Sequence, residues 1–303
     1  MTIRVGTASW TDKTLLACGR FYPLTVRDDA AGRLRYYASR FPLAEIDSSY
    51  YALPDPRVAQ AWVERTPPDF VFNIKSFRLF TGHQTPLRAL DADLRRELPR
   101  ADPETVVYAD QLPAEIREET WRRFLLAVEP LRMSGKLGAV HFQFPPWVRA
   151  DRRGIMRVSD CAAHLEEDLL AAVEFRHASW YDGPARQAAT LDFLRERGAA
   201  HTVVDAPQGY DNTVPALWQA TRDDLAVVRL HGRNSAAWNS RGAASSSRFQ
   251  YEYSPEELAE LARQVRELAR RVRETHVVLN TNFEDQGMRN AQGLIDALNQ
   301  VAA

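Results

Sequence analysis

The chain has 303 residues and a net charge of −1, and 45% of its residues are hydrophobic and 26% charged. A chain of this length and composition can bury a large core without disulfides or a structural metal, and its near-zero charge excludes a strong overall attraction to nucleic acid or anionic lipid. Its two cysteines, Cys18 and Cys161, are far apart in sequence, which excludes a CxxC pair and argues against a disulfide scaffold or a thiolate zinc site.

Eight short apolar or alternating runs predict β-strands. The first run begins almost at the N-terminus, without the basic and apolar segments of a signal peptide. No run approaches the length of a membrane span, so we expect a cytoplasmic protein with no membrane partner. The predicted strands cover Ile3–Thr7, Ala44–Ser49, Phe70–Lys75, Leu137–Phe144, Leu170–Arg176, His201–Asp205, Ala226–His231 and Val277–Asn282.

Helical patterns separate most of the predicted strands. The best-defined helix begins at Ser254, because Ser254, Pro255 and Glu257 provide an N-cap, a first-turn proline and a capping-box glutamate. The predicted helices cover Ala30–Phe41, Pro56–Arg65, Arg117–Arg132, Asp182–Arg197, Ser254–Thr275 and Met288–Val301.

Strands that alternate with helices predict a parallel sheet with helices on its faces. Eight such strands in a chain of this length predict a TIM (β/α)8 barrel or a close variant, in a single domain over residues 1–303. A doubly wound open sheet is the alternative. Two long connections, residues 78–115 and 232–253, leave the C-terminal ends of predicted strands and are candidates for functional lids.

Six of the predicted strands have one apolar face and one polar face, because successive side chains of a strand point in opposite directions. The apolar face suits the helices, which leaves the polar face for the barrel interior. Buried ions are costly unless they are paired or solvated, so the repeated pattern favours an active site at the C-terminal ends of the strands. A layer of salt bridges that only stabilises the fold is the alternative. The inward polar residues are Glu45, Asp47, Ser49, Asn73, Lys75, His141, Gln143, Glu174, Arg176, Arg229, His231, Asn280 and Asn282.

Aromatic residues follow several of the same strands. Their rings are candidates for stacking on a sugar or a nucleobase, and the alternative is that they cap the apolar layer of the barrel. The most prominent are Trp10, Trp147, Trp180 and Trp238.

The sequence contains no GxGxxG, P-loop, HExxH or GxSxG motif, so it identifies no cofactor. A site for a hard divalent cation could still form across strands, and its candidate ligands are Glu45, Asp47, Glu174, Asp205 and His231. We assign no metal ligand on this basis. Four further histidines lack ligand-like spacing and are expected at the surface or at helix ends: His164, His177, His201 and His276.

Several short motifs carry a family resemblance. They are Arg4–Trp10, Gly19–Pro23, Glu45–Tyr51 with Leu53-Pro54, Phe72–Lys75, Thr81 with His83, Phe142–Pro146, Val173–Trp180, Arg229–Asn234 and Asn290-Ala291. In this order, and over nearly the whole chain, they resemble the YecE-like proteins, the family of domain of unknown function 72. The resemblance implies a TIM-barrel-like fold and supplies no established reaction. Two departures are present: Asp47 stands where the family usually has an amide, and Thr281 separates two asparagines that are often adjacent.

The leading interpretation is an enzyme that performs acid–base chemistry on a small polar, anionic ligand such as a phosphate ester or a sugar acid. The candidate catalytic residues are Glu45, Asp47, Lys75, Glu174 and His231. The candidate ligand-binding residues are Trp10, His83, Gln143, Arg176, Trp180, Arg229, Arg233, Asn234 and Asn280.

Two other functions stay open. A metal-dependent phosphodiesterase would hold a metal with the acidic residues and contact the phosphates of a nucleic acid with Arg233, Arg241 and Arg248; the near-neutral charge does not favour that partner. A non-catalytic binding protein would use the same cations to hold a ligand without chemistry.

Overall fold

The computed structural model describes residues 1–98, 102–239 and 249–300, and it contains a closed barrel of eight parallel strands. Each barrel strand pairs with the barrel strands before and after it in the chain, and the last strand closes on the first. The barrel strands are β1 (Thr2–Ala8), β2 (Leu43–Ile46), β3 (Val71–Lys75), β6 (Leu137–Gln143), β7 (Ala171–Glu174), β8 (Ala200–Asp205), β9 (Leu225–Leu230) and β10 (Glu274–Leu279), while β4 (Thr85–Pro86) and β5 (Val106–Val107) form a separate antiparallel pair. The predicted barrel and its eight strands are confirmed, and the open-sheet alternative is wrong.

Helices cover the outside of the barrel, and the apolar strand faces pack beneath them, with Phe72, Phe142 and Phe175 fully buried. All six predicted helices are present, with ends that differ by a few residues. In chain order the helices are α1 (Lys13–Cys18), α2 (Leu24–Arg27), α3 (Ala30–Ala38), α4 (Pro56–Glu64), α5 (Ala92–Arg96), α6 (Ala114–Met133), α7 (Arg152–Ala163), α8 (Gly183–Glu196), α9 (Ser235–Trp238), α10 (Pro255–Ala269) and α11 (Gln286–Gln300).

Local capping explains where two of these helices begin. The Ser254 hydroxyl accepts from the backbone N–H of Glu257 at 3.2 Å, and the Glu257 carboxylate accepts from the backbone N–H of Ser254 at 2.9 Å, which confirms the predicted capping box of α10. Asp151 caps α7 by accepting from the backbone N–H of Gly154 at 2.9 Å. The sequence prediction missed α7, because the helix buries only Gly154, Val158 and Cys161 and so has a thin apolar stripe.

Barrel closure depends on a close approach between β1 and β2. Gly6 on β1 pairs with Leu43 on β2, and a Cβ atom on Gly6 would lie 1.8 Å from the carbonyl oxygen of Leu43. Only glycine fits at this position, because any side chain would force the two strands apart.

Small apolar side chains form a floor inside the barrel, separate from the main core. Four of these apolar residues each lie two positions before a polar residue on the same strand: Leu43 before Glu45, Ala139 before His141, Ala172 before Glu174 and Val227 before Arg229. Since side chains two residues apart point to the same face, the polar residues form the next layer towards the C-terminal ends of the strands. The prediction of an inward polar face is therefore confirmed for these strands.

Two predicted strands extend three residues beyond their observed ends, and three others extend by one or two residues. β2 ends at Ile46, because residues Ser48–Tyr50 form a 3₁₀ turn in which the Ser49 hydroxyl donates to the carbonyl oxygens of Ile46 and Lys75 at 3.0 and 2.5 Å. β10 ends at Leu279. Asp47, Ser49, Asn280 and Asn282 therefore lie after the ends of β2 and β10, and their predicted strand positions are wrong.

The described parts of the two long connections contain little regular structure. The connection after β3 carries β4, β5 and α5, and the connection after β9 carries α9, with residues 240–248 outside the described part of the chain. Their role as lids stays a prediction. Among the described residues, none of the helices is both long and apolar enough to span a membrane.

Candidate functional site

Four fully buried polar side chains fill the barrel interior above the apolar floor: Glu45 on β2, His141 on β6, Glu174 on β7 and Arg229 on β9. We call them the central cluster. Arg229 joins the two carboxylates, since Nη2 donates to Glu45 Oε1 at 2.6 Å and Nη1 donates to Glu174 Oε2 at 2.8 Å. Nη1 also donates to Gln143 Oε1 at 3.1 Å. The planar guanidinium can serve several acceptors at once, so Arg229 connects three strands across the barrel.

A second polar layer lies one step nearer the C-terminal ends of the strands. Arg176 Nε donates to Glu174 Oε1, and Arg176 Nη2 donates to His231 Nε2 at 2.9 Å. The side-chain amide of Asn280 lies 2.8 Å from Nδ1 of His231. An arginine side chain can only donate, so Nε2 of the neutral His231 ring accepts and its Nδ1 carries the proton. That proton is donated to the side-chain oxygen of Asn280 when the amide is oriented with its oxygen towards the ring.

The two carboxyl groups of the central cluster differ in protonation. Burial raises the pKa of Glu45 to about 7, although the charge of Arg229 opposes this. Glu174 is equally buried, but Arg176 and Arg229 together outweigh burial and hold its pKa well below the usual value. Environments that separate two carboxyl pKa values leave one group to exchange protons near neutral pH and the other as a fixed negative charge.

His141 lies between these two carboxylates. Its Nδ1 is 3.5 Å from Glu45 Oε2 and its Nε2 is 3.5 Å from Glu174 Oε2. Among the described residues, neither ring nitrogen has a hydrogen-bond partner, and neither does Glu45 Oε2. Burial, together with the charge of Arg229, keeps the pKa of His141 well below its usual value, so the ring is neutral. Unpaired buried polar atoms are rare and point to a functional role. The sequence analysis placed His141 inward but assigned it no role.

Lys75 and Asp47 lie at the mouth of the barrel, with side chains 14% and 24% exposed. Lys75 Nζ is 3.6 Å from Asp47 Oδ1, an ion pair without a direct hydrogen bond, and Asp47 Oδ1 is buried with no hydrogen-bond partner in the described residues. This pair is looser than those of Arg229, so both groups retain capacity for a ligand.

His83 reaches the same mouth from the connection after β3. Its ring is half-buried and lies 5.9 Å from the ring of Trp147, which is 54% exposed. Burial and three nearby cations lower the pKa of His83 to about 3, so the ring is neutral at physiological pH. The three cations, in order of their effect, are Lys75, Arg78 and Arg176.

Two tryptophans predicted to bind a ligand belong instead to the core between the barrel and the helices. Trp10 is 7% exposed and contacts Trp62 at a ring distance of 6.0 Å, and Trp180 is 2% exposed and stacks on Phe175 at 3.9 Å. These positions favour the capping alternative for both rings. Trp238, by contrast, packs beside the site, with the guanidinium carbon of Arg176 5.6 Å from its ring.

Arg233 and Asn234 belong to a separate network that fixes the connection after β9. Arg233 donates to Asp205 from Nε and Nη2 at 3.0 and 2.9 Å, and from Nη1 to Glu257 at 3.0 Å. Asn234 caps α9 by accepting from the backbone N–H of Ala237 at 3.2 Å. These contacts give both side chains a structural role in the connection after β9. Their role in ligand binding stays a prediction.

The five candidate metal ligands do not assemble into one site. Asp205 pairs with Arg233 and with Tyr253, whose hydroxyl donates to it at 2.6 Å, while Glu45 and Glu174 pair with Arg229. In the described part of the chain, no group of three or more His, Cys, Asp or Glu side chains is arranged to hold a metal ion. Two candidate phosphate contacts, Arg241 and Arg248, lie outside the described residues.

The expectation for the other histidines is half correct. His164 ends α7 and His177 caps the short 3₁₀ helix that follows β7, as predicted. His201 and His276 are each 2% exposed on β8 and β10, so the expected surface position is wrong for them. Both lie within runs of strand residues, which was the signal for burial. His276 Nδ1 lies 2.9 Å from Asn73 Oδ1 near the N-terminal end of the barrel.

A cleft of about 1210 Å³ opens between the connection after β3, α6 and α7. It does not contain the central cluster. It approaches the mouth at Gly82 and Trp147, and its lining includes Arg149 and Arg157.

Comparisons with known proteins agree on one family. A family model described as "Protein of unknown function DUF72" matches residues 4–303. UPF0759 protein YunF of Bacillus subtilis (strain 168) is 28% identical over 299 residues, which cover 98% of this chain and 94% of that protein. The crystal structure of a DUF72 family protein from Thermotoga maritima MSB8 superposes with a TM-score of 0.75 at 28% identity and covers 99% of this chain and 100% of that one. A DUF72 family protein from Enterococcus faecalis V583 gives a TM-score of 0.77 at 27% identity, over 98% and 96% of the two chains.

Proposed function

This chain belongs to the DUF72 family of proteins of unknown function, and we propose that it is an enzyme that performs acid–base chemistry on a small polar, anionic ligand at the mouth of its barrel. The observation that carries the proposal is the Glu45–Glu174 pair. Both carboxyls are fully buried and share Arg229, yet burial raises the pKa of Glu45 to about 7 while two arginines hold the pKa of Glu174 well below its usual value. A general acid or base works best when its pKa lies near the working pH.

The roles follow from these contacts. Glu45 gives or takes the proton, since its Oε2 is free of hydrogen bonds within the described residues. Glu174 stays ionised and orients Arg176, which in turn donates to His231. Asp47 and Lys75 are close enough to shift the pKa of Glu45, so a ligand at the mouth acts on the same proton equilibrium.

The charge balance supports an anionic ligand. Four cations converge on the barrel mouth and interior: Lys75, Arg78, Arg176 and Arg229. Three acids accompany them: Glu45, Asp47 and Glu174. The surplus positive charge grows by one whenever Glu45 is protonated. Arginine and lysine in such a setting suit phosphate or carboxylate groups.

A ligand screen followed by one substitution tests the proposal. Thermal shift with phosphorylated and carboxylated metabolites at millimolar concentration identifies ligands of the wild type, and mass spectrometry then follows their conversion. Glu45→Gln keeps an acceptor for Arg229 but removes the exchangeable proton. We expect it to bind the ligand and to lower the rate by about 10²- to 10⁴-fold.

The matched control is Glu64→Gln, since Glu64 is exposed on α4 and accepts a hydrogen bond only from Gln60 among the described residues. It should keep the wild-type rate. The pH dependence of the wild-type rate should also show one group with a pKa near 7. This measurement uses only the wild type, so it does not depend on whether a variant folds. Full activity of Glu45→Gln, or the absence of any ligand for a folded wild type, rejects the proposal.

A further inference from the structure

The geometry points to a phosphate-binding site at one side of the barrel mouth: we propose that Lys75, Arg78 and His83, grouped around the ring of Tyr50, hold the phosphate of a phosphate monoester. The inference rests on the proposed function, because it specifies the class of anion that the same mouth receives. Arg78 was not among the candidates from sequence.

Two cations share a single aromatic ring at this site. Lys75 Nζ lies 4.7 Å from the centre of the Tyr50 ring and the guanidinium carbon of Arg78 lies 5.1 Å from it. The ring attracts each cation, but it does not remove the repulsion between two positive charges that contact the same ring. An anion that reaches both cations would offset that repulsion.

The acids present do not neutralise this pair. Within the described part of the chain, Lys75 forms an ion pair only with Asp47, at 3.6 Å. Within the described ranges, Arg78 forms no ion pair, and its Nε is buried without a hydrogen-bond partner. An arginine atom that has lost its water without gaining an acceptor is costly, which is expected where a ligand supplies the acceptor.

His83 completes the site from the side. Its ring meets the Tyr50 ring edge to face at 5.1 Å, and its Nδ1 lies 2.9 Å from the Thr81 hydroxyl. No described residue forms a hydrogen bond with its Nε2, which is therefore available to a ligand. Burial, then the charges of Lys75 and Arg78, lower the pKa of His83 to about 3.

Phosphate fits this set better than carboxylate. A phosphate monoester carries up to two negative charges and three acceptor oxygens, so it can serve the arginine fork, the lysine and the histidine together. The remainder of the ligand has room beside His83, where Trp147 presents an exposed ring and its Nε1 donates to the carbonyl of Gly82 at 3.0 Å. The cleft of about 1210 Å³ begins at these two residues.

Isothermal titration calorimetry with inorganic phosphate, and with acetate for comparison, tests the site directly. Phosphate should bind the wild type more tightly than acetate, and it should shift the ring signals of His83 in NMR spectra. Arg78→Gln should weaken phosphate binding by about tenfold or more. Arg78→Lys keeps the charge but loses the fork and should weaken it less. The control is Arg88→Gln on the same connection, whose exposed side chain pairs with Glu104, and it should bind phosphate like the wild type.

The outcomes separate this site from the proposed function. Unchanged phosphate affinity in Arg78→Gln, or equal affinity for acetate, overturns the phosphate site. Glu45-dependent turnover of a carboxylate ligand without phosphate binding would overturn the site and leave the proposed function standing. Arg78-dependent phosphate binding without turnover of any phosphorylated ligand would leave the site standing and remove the catalytic role.

Discussion

Glu45 and His231 lie within the same buried network, yet burial acts on them in opposite directions. A carboxyl loses charge when its pKa rises, and an imidazole loses charge when its pKa falls. Burial raises the pKa of Glu45 to about 7, and burial together with the charge of Arg176 lowers the pKa of His231 to about 3. Both groups are thus driven towards their neutral forms, and their contributions to stability depend on pH with opposite signs.

The sign of each contribution gives a testable pH dependence. The folded pKa of His231 lies below its ordinary value of 6.5, so its contribution to the free energy of unfolding is complete above pH 6.5 and is lost as the pH falls towards 3. His231→Gln should therefore show a shallower loss of stability than the wild type over this range, measured by urea denaturation at several pH values. A curve for His231→Gln that runs parallel to the wild-type curve would contradict the prediction.

Glu45 gives the reverse prediction. Its folded pKa lies above the ordinary value of 4.5, so its contribution is complete below pH 4.5 and is lost as the pH rises through 7. The wild type should lose stability relative to Glu45→Gln between pH 4.5 and 7 and run parallel to it above pH 8, again by urea denaturation. A stability difference that is constant over the whole range would show that Glu45 has the same pKa in both states.

Which residues face inward could be predicted from sequence, but their partners could not. Alternation along a strand assigns a side chain to a face, and Glu45, Glu174 and Arg229 were all assigned correctly. The pairing of Arg229 with both carboxylates depends on the relative register of strands whose residues are up to 184 positions apart in the chain. A local sequence pattern contains no information about that register. For the same reason His141 carried no signal beyond its inward position, and Arg78 no signal at all.

At the scale of single elements, a helix or strand boundary can be predicted from sequence when contacts between nearby residues set it. The N-terminus of α10 was predictable, because Ser254 and Glu257 cap it within one turn. The end of β2 was not, because the Ser49 hydroxyl binds the carbonyl of Lys75 on the next strand. An element boundary set by a contact within a few residues can be read from sequence, whereas one set by a neighbouring strand cannot.

The capping box provides a measurable test at this scale. Ser254→Ala removes the acceptor for the backbone N–H of Glu257 and should lower the free energy of unfolding by about 1 kcal/mol, measured by denaturant titration. Glu260→Ala, an exposed position on the same helix, should change it by less than about 0.5 kcal/mol. Equal effects of the two substitutions would contradict the role of the cap.

At the scale of the whole molecule, closure of the barrel brings the site together. The central cluster draws on β2, β6, β7 and β9, so it forms only when the eight strands are in register. Gly6 permits this closure, because the β1 and β2 backbones meet where its side chain would be. The length of the chain and the alternation of strands and helices were enough to predict the barrel; the close contact between β1 and β2 was not visible in either.

Gly6→Ala should therefore destabilise the fold severely, by about 3 kcal/mol or more, because the carbonyl of Leu43 belongs to the backbone and cannot rotate away. The control is Gly19→Ala. Gly19 has φ 65° with open space around it, so alanine meets only backbone strain, of about 1–2 kcal/mol. Thermal melting of both variants compares the two effects, and a Gly6→Ala protein as stable as Gly19→Ala would contradict the closure argument.

Arg229 has a consequence for how relatives of this protein can diverge. Its charge is fully buried and paired with the ionised Glu174, so the loss of either residue alone leaves a buried charge without its partner, at about 3–5 kcal/mol. Such an intermediate would be strongly destabilised before selection could act on a new reaction. Evolutionary change should therefore accumulate at the looser positions of the mouth, Asp47, Arg78 and His83, and Arg229 and Glu174 should change only through concerted replacement. New substrate preferences would then arise at the rim above an interior that stays the same.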